Sequence, residues 1–126
     1  KKETMQTKDI NSHKDLIVWQ KAMELIVAVY NLTSKFPKEE MYGLTSQIRR
    51  AAISIPSNIA EGKKRGTRKD YRQFLLVAYG SGAELETQIE IAKMLSFGKD
   101  YATIDRLIEE VMKMLNKLIS SLQPNT

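Results

Sequence analysis

Basic side chains are concentrated in one part of this 126-residue sequence. Positions 49 to 72 hold eight lysines and arginines but only two acidic residues, whereas the rest of the chain is nearly neutral. Positive charge gathered in this way favours binding to a polyanion such as nucleic acid, because lysines and arginines that neutralise phosphates release condensed counterions. The alternative is that these side chains form only a solvated corner of the protein. The candidate phosphate-binding residues are Arg49, Arg50, Lys63, Lys64, Arg65, Arg68, Lys69 and Arg72.

A second set of polar residues has no evident role in a hydrophobic core. Asn58 and Glu61 are one helical turn apart and could form a polar network with Gln47 and Arg50, which would favour specific assembly rather than catalysis. Two glutamates further along could pair with an arginine of the preceding helix or contact a neighbouring subunit. The candidates for such a network or subunit contact are Gln47, Asn58, Glu61, Glu84 and Glu86.

The composition excludes most familiar catalytic and metal sites. The chain has no cysteine and a single histidine, His13, which precedes the first apolar pattern. Ser-His-Asp triads, multi-histidine metal sites and Glu-x-x-His di-iron sites all need an imidazole inside the fold. Glu86 and Glu90 are one turn apart, but no matching carboxylate pair is evident on another helix. We therefore expect no enzymatic activity, no metal site and no cofactor.

Apolar residues recur at spacings of three and four along most of the chain, which predicts α-helices rather than strands. Ser12 and Thr67 each begin a capping-box pattern at the start of a helix. Pro37 ends the first helix, since the residue before a proline avoids the α region. Pro56 predicts a kink inside the second helix unless that helix restarts there. Four helices are predicted, at about residues 15–35, 44–64, 67–96 and 101–122.

Short connections between four amphipathic helices are typical of an all-α, antiparallel up-and-down four-helix bundle. We predict one such domain over residues 13–123, after a flexible leader at residues 1–12. The first helix has apolar residues on two sides, one through Trp19 and Met23 and the other through Ala22 and Leu25. A protomer of this size has few places to bury both, so a homo-oligomer is expected, although the leader or the fourth helix could cover the second side.

Two glycines interrupt the third helical pattern in the string Gly80-Ser81-Gly82. Each makes a helix interior less stable by around 1 kcal/mol relative to alanine. A close approach by a neighbouring helix is therefore expected at this point.

The apolar runs are too short for a membrane anchor. None approaches the ~20 residues that a membrane-spanning helix needs. The first residues have no apolar core of a secretory signal, and the absence of cysteine fits a reducing compartment. These features predict a cytoplasmic protein with no membrane partner.

Several short strings, in order along residues 14 to 97, resemble one known family. It is the four-helix-bundle family encoded by intervening sequences of bacterial large-subunit (23S) ribosomal RNA genes. The longest string, from Ser54 to Gly62, is specific enough to make a chance match improbable. The strings are Trp19-Gln20-Lys21-Ala22, Phe36-Pro37-Lys38-Glu39, Tyr42-Gly43-Leu44, Gln47 to Ala52, Ser54 to Gly62, Phe74-Leu75, and Gly80-Ser81 followed by Glu84-Leu85-Glu86-Thr87.

The resemblance implies a four-helix bundle that assembles as a homopentamer and has no enzymatic activity. A relative of the family, the accessory variability determinant of diversity-generating retroelements, forms a basic pentameric barrel that binds nucleic acid and a reverse transcriptase. By analogy, the partners expected here are further copies of the chain, RNA or DNA, and a nucleic-acid enzyme such as a reverse transcriptase. Two functions stay open: a sequence-tolerant nucleic-acid binder, with RNA the expected type, and an oligomeric scaffold or protein-interaction module with no nucleic-acid role.

Overall fold

The structure, a computed structural model, describes residues 12–123, and every regular element in that range is helical. The four α-helices are α1 (Ile17–Thr33), α2 (Leu44–Arg65), α3 (Arg68–Met94) and α4 (Ala102–Ser121). Each packs against two neighbours in the cyclic order α1, α2, α3, α4, and α2 and α3 make the most extensive contact. The predicted all-α four-helix bundle is confirmed. The predicted leader lies outside the described residues, apart from Ser12.

Contacts at the two ends of the bundle show that successive helices run in opposite directions. At one end, Arg68 in the first turn of α3 donates a hydrogen bond to the carbonyl oxygen of Ser121, the last residue of α4, at 3.2 Å. At the other end, Arg49 of α2 donates to the hydroxyl of Thr33, the last residue of α1, at 2.9 Å. The α2–α3 connection, the start of α1 and the end of α4 therefore share one end.

The core is built from the apolar stripes that the sequence pattern predicts. On α1, Ala22 and Leu25 are fully buried against the other helices, whereas Met23 and Val27 on the other side stay exposed. No helix within residues 12–123 has the length and hydropathy needed to cross a lipid bilayer. The largest fully buried side chains of the core include Leu25, Ile48, Ile55, Ile59, Leu75, Leu85, Ile89, Leu107 and Leu115.

The start of α1 differs from its prediction. The Ser12 hydroxyl accepts a hydrogen bond from the Lys14 backbone N–H, but this contact begins a single 3₁₀ turn at His13–Asp15. Leu16 then has an extended backbone, with φ −78° and ψ 127°, which interrupts the helix before Ile17. The capping box at Ser12 was therefore wrong as the start of α1. The one at Thr67 is confirmed, since its hydroxyl accepts from the Asp70 N–H at 3.1 Å. The other helix ends differ from their predictions by no more than two residues.

Close helix packing explains two glycines of the bundle but not a third. A Cβ atom at Gly62 would lie 2.7 Å from the Cβ of Phe74, and one at Gly82 would collide with the sulfur of Met112. A Cβ at Gly80 would meet no atom within 4 Å. The predicted close approach is therefore confirmed at Gly82, while Gly80 faces open space. The α2 helix continues without interruption through Pro56.

Candidate nucleic-acid interface

Six of the eight predicted basic residues lie together at one end of the bundle. Three of them belong to the last turn of α2, and the other three lie within the first five residues of α3. Only Gly66 and Thr67 separate the two helices. Gly66 has a left-handed backbone, with φ 91°, which lets the chain reverse direction in so few residues. The six residues are Lys63, Lys64, Arg65, Arg68, Lys69 and Arg72.

The remaining two basic residues lie elsewhere. Arg50 precedes Arg65 by fifteen residues on α2, which corresponds to about 22 Å along a helix that rises ~1.5 Å per residue. The guanidinium of Arg49 lies 4.3 Å from the ring centre of Tyr30 and donates to Thr33, so this side chain joins α2 to α1. The prediction that all eight surround one turn is therefore wrong for Arg49 and Arg50, because neighbours in a sequence window can lie far apart along a long helix.

The structure adds one lysine that the sequence window did not include. Lys14 belongs to the 3₁₀ turn that packs against α2. The positive charges of Lys14 and Lys64 both lower the pKa of His13, and the turn that carries Lys14 and His13 packs against α2. The position of Lys14 beside α2 depends on the antiparallel order of the helices, so the charge pattern alone could not predict it. We define the basic end as Lys14, Lys63, Lys64, Arg65, Arg68, Lys69 and Arg72.

Carboxylates neutralise little of the basic end. Within residues 12–123, Arg65 is its one member in an ion pair, with 3.1 Å between its Nη2 and the Oε2 of Glu61. Arg65 also lies 4.8 Å from the ring centre of Phe74, and the Nζ of Lys63 lies 5.5 Å from the ring centre of Tyr71. Contacts with aromatic faces leave the charge in place. The end therefore keeps a surplus of positive charge that solvent can reach.

Two arginines of the basic end also hold the end of α4. The last carbonyl groups of an α-helix have no partner within the helix. Arg68 donates from Nη2 to the carbonyl of Ser121, and Arg72 donates from Nε to that of Ile119, both at 3.2 Å. A guanidinium has five N–H donors. Both arginines can therefore bind a further acceptor without releasing α4.

His13 lies within this cationic surrounding. Its ring packs edge-on against Trp19, with 5.2 Å between the ring centres. Its Nδ1 is buried and has no hydrogen-bond partner in the described part of the chain. Burial lowers the pKa of His13 below its usual value of 6.5, and the positive charges of Lys64 and Lys14 lower it further. The positive charges of the basic end therefore disfavour protonation of His13 when no anion is bound.

We expect the protein to lose stability as the pH falls below about 6.5, partly through His13. Because the pKa of His13 is lower in the folded state, the unfolded chain binds the proton first. Urea unfolding at about pH 7.5 and pH 5.5, followed by fluorescence of the single tryptophan Trp19, measures this loss. The His13→Gln variant should lose less stability over the interval than the wild type. An equal loss of stability in both proteins would contradict the contribution of His13.

The other predicted polar residues do not form a single network. Asn58 donates from Nδ2 to the backbone oxygen and the hydroxyl of Ser54, at 2.8 Å and 3.0 Å. The hydroxyl of Ser54 also bonds that of Ser81 on α3, at 2.7 Å. Gln47 and Glu84 line a polar groove between α2 and α3, and Ser54 and Ser81 line the same groove. Among the described residues, no hydrogen bond joins Asn58 or Glu61 to Gln47 or Arg50, because Asn58 bonds Ser54 and Glu61 bonds Arg65.

The glutamates of α3 point to different grooves. Glu84 shares the α2–α3 groove with Arg50, but no α2 arginine forms an ion pair with either predicted glutamate in the described range. Glu86 lines a cavity of about 520 Å³ between α3 and α4, whose other acidic residues include Asp105 and Glu109. The carboxylates of this cavity repel phosphates, in contrast to the side chains of the basic end. No group of three acidic or histidine side chains in residues 12–123 is arranged to hold a metal ion.

Fold and charge together define an all-α four-helix bundle with a cationic end. A profile of the 23S rRNA-intervening sequence protein family matches residues 14–117. The chain belongs to this family, and the resemblance carried by the strings between Trp19 and Thr87 is confirmed. No curated protein matches the chain.

Proposed function

We propose that this protein is a non-catalytic, self-associating helical bundle that binds nucleic acid, with RNA the expected type, through the basic end. The observation that carries the proposal is the convergence of seven lysines and arginines from three segments of the chain. Within residues 12–123, a single one of these seven side chains, Arg65, pairs with a carboxylate. Binding should tolerate different sequences. Contacts of lysines and arginines with phosphates carry no sequence information directly.

Two exposed apolar faces support the self-association. On α1, Val27 is 61% exposed, and Met23 on the same side is exposed as well. On α3, an uncharged stripe runs over about 27 Å at the rise of an α-helix, and its last residue, Met94, is 82% exposed. Gly80 lies in this stripe, where the absence of a side chain would admit the close approach of another copy. The stripe consists of Leu76, Gly80, Ala83, Thr87, Ile91 and Met94.

The positions of the two faces suit assembly into a ring. α1 and α3 are diagonal to each other in the bundle, so one copy can contact two others at once. Contacts between different faces close into rings when the rotation between copies allows it. Family resemblance makes five the expected number of copies. Cyclic symmetry would place all the basic ends on one rim and raise avidity for a long polyanion without any new contact. A nucleic-acid enzyme such as a reverse transcriptase is the further partner that we propose.

The dependence of binding on salt tests the function. We expect the affinity for labelled single-stranded RNA and duplex DNA to fall steeply as salt rises, with a slope of about −0.7 per phosphate contact for single strands and −0.9 for duplex DNA. Four contacts to a single strand would weaken binding on the order of fiftyfold between about 50 mM and 200 mM salt. Fluorescence anisotropy titrations at the two salt concentrations measure this. The absence of binding at the lower concentration would refute the proposal.

The same apolar faces also favour the second candidate, an oligomeric scaffold with a polypeptide partner. In that case the basic end would serve solubility or meet an acidic protein surface. The two candidates differ in one measurable respect. A scaffold would assemble normally and bind neither RNA nor DNA at low salt.

A further inference from the structure

A cavity of about 360 Å³ opens at the basic end, between the first turns of α3 and the end of α4. Its volume lies within the range of about 300–1,000 Å³ that is typical of small-molecule sites. The surface of the cavity is mostly apolar, although four of its five described lining residues are polar. Long cationic side chains contribute apolar surface through their methylene groups. The lining residues are Arg68, Lys69, Arg72, Gln73 and Leu122.

The two arginines in the wall of this cavity are held in position. Arg72 donates from Nε to the carbonyl of Ile119 at 3.2 Å and from Nη2 to the side chain of Gln123 at 2.5 Å. Arg68 donates to the carbonyl of Ser121. These bonds fix each planar group at the cavity before any ligand arrives, so less conformational freedom is lost on binding. Lys69 is exposed and has no carboxylate partner within residues 12–123.

We propose that this cavity receives the base of an unpaired nucleotide, whose phosphates contact Lys69 and the remaining N–H groups of Arg68 and Arg72. The inference rests on the proposed function and names its substrate class. A nucleobase is flat and largely apolar on its faces, and guanidinium groups stack on such faces. The phosphates attached to the same nucleotide match the cations of the cavity. A site that is apolar inside and cationic around it suits this combination.

An unpaired base fits better than a paired one. In a duplex, both faces of each base are stacked and its hydrogen-bonding edge is occupied, so the base must leave the helix before it can enter a cavity. Phosphates, by contrast, are accessible in single strands and duplexes alike. The basic end should therefore bind both through charge and favour strands with unpaired bases.

The test compares nucleic acids of one length that carry unpaired bases, no bases at abasic sites, or paired bases. Labelled single-stranded RNA, a strand of the same length and charge with abasic sites, and a duplex of the same length are titrated with the full chain at one salt concentration. We expect the base-bearing strand to bind about tenfold more tightly than the abasic strand, in keeping with the contribution of one stacked base. This comparison uses the wild-type protein alone.

A substitution in the cavity locates the effect. Leu122→Asn removes the apolar side chain of the cavity without changing the charge, so it should largely abolish the preference for base-bearing RNA and leave binding of the abasic strand unchanged. Leu95→Asn is the matched control, since Leu95 is an exposed leucine just after α3, at the opposite end of the bundle. Circular dichroism at 222 nm verifies that both variants are folded.

The outcomes separate the two proposals. Equal binding of base-bearing and abasic strands by the wild type would overturn the inference about the cavity and leave the proposed function intact. A base preference that survives Leu122→Asn would place the base elsewhere and also overturn it. Failure to bind any of the three strands at low salt would refute the proposed function itself.

Discussion

Replacement of Lys14, Lys64 and Lys69 by alanine should weaken RNA binding on the order of a thousandfold at about 50 mM salt. All three side chains are exposed, and none pairs with a carboxylate in the described part of the chain. Each phosphate contact contributes about tenfold at this salt concentration through counterion release, and each one lost lowers the salt slope by about 0.7 for a single strand. Anisotropy titrations at several salt concentrations measure both quantities.

A matched variant distinguishes the loss of a local binding site from a general effect of lower net charge. Lys35, Lys38 and Lys99 are exposed lysines near the opposite end of the bundle, and their replacement by alanine removes the same total charge. This variant should bind RNA within about threefold of the wild type, since charges more than a Debye length from the ligand, about 8–10 Å, are largely screened. Equal losses in the two triple variants would contradict a binding site at the basic end.

In solution, the protein should have a mass about five times the 14.4 kDa of one chain. Light scattering coupled to size-exclusion chromatography measures this mass directly. Gly80→Arg should reduce it to that of one chain, because a long charged side chain would enter the uncharged stripe of α3 at which we propose that two copies meet. The fold of one copy should tolerate the change, since a Cβ at Gly80 meets no atom within 4 Å.

The control for this variant adds the same side chain elsewhere. Thr103 is exposed in the first turn of α4, away from the α3 stripe, and Thr103→Arg should leave the mass unchanged. A wild-type protein that elutes as a single chain would contradict self-association and remove the ring of basic ends with it. A Gly80→Arg protein with the mass of the wild type would show that another surface joins the copies.

Most of the architecture was predictable because helices depend on local spacing. The periodic apolar residues that predicted four helices are the ones that fill the core, from Leu25 on α1 to Leu115 on α4. The cap at Thr67 was predictable as well, because it needs only residues three positions apart. The start of α1 was missed because the capping-box pattern does not indicate the extended backbone at Leu16, which follows a separate turn that packs against α2.

The candidate site was only partly predictable. The lysines and arginines on either side of Gly66 could be grouped from the sequence, since a two-residue connection keeps helix ends together. Arg49 was grouped with them wrongly, because its contact with Tyr30 depends on the packing of α1 against α2. The cavity beside Leu122 had no local signal, since it joins residues about fifty positions apart.

The amino-acid sequence by itself determined the helical class, the family and the presence of a cationic surplus, because periodicity, short motifs and charge are properties of neighbouring residues. Tertiary structure decided which of the lysines and arginines lie at the same end of the bundle. It packed the turn that carries Lys14 against α2, directed Arg68 and Arg72 to the carbonyls of α4, and left Gly80 facing open space. The physical reason is that the contacts of Arg68 and Arg72 join segments about fifty residues apart, and only the antiparallel packing of the helices makes them neighbours.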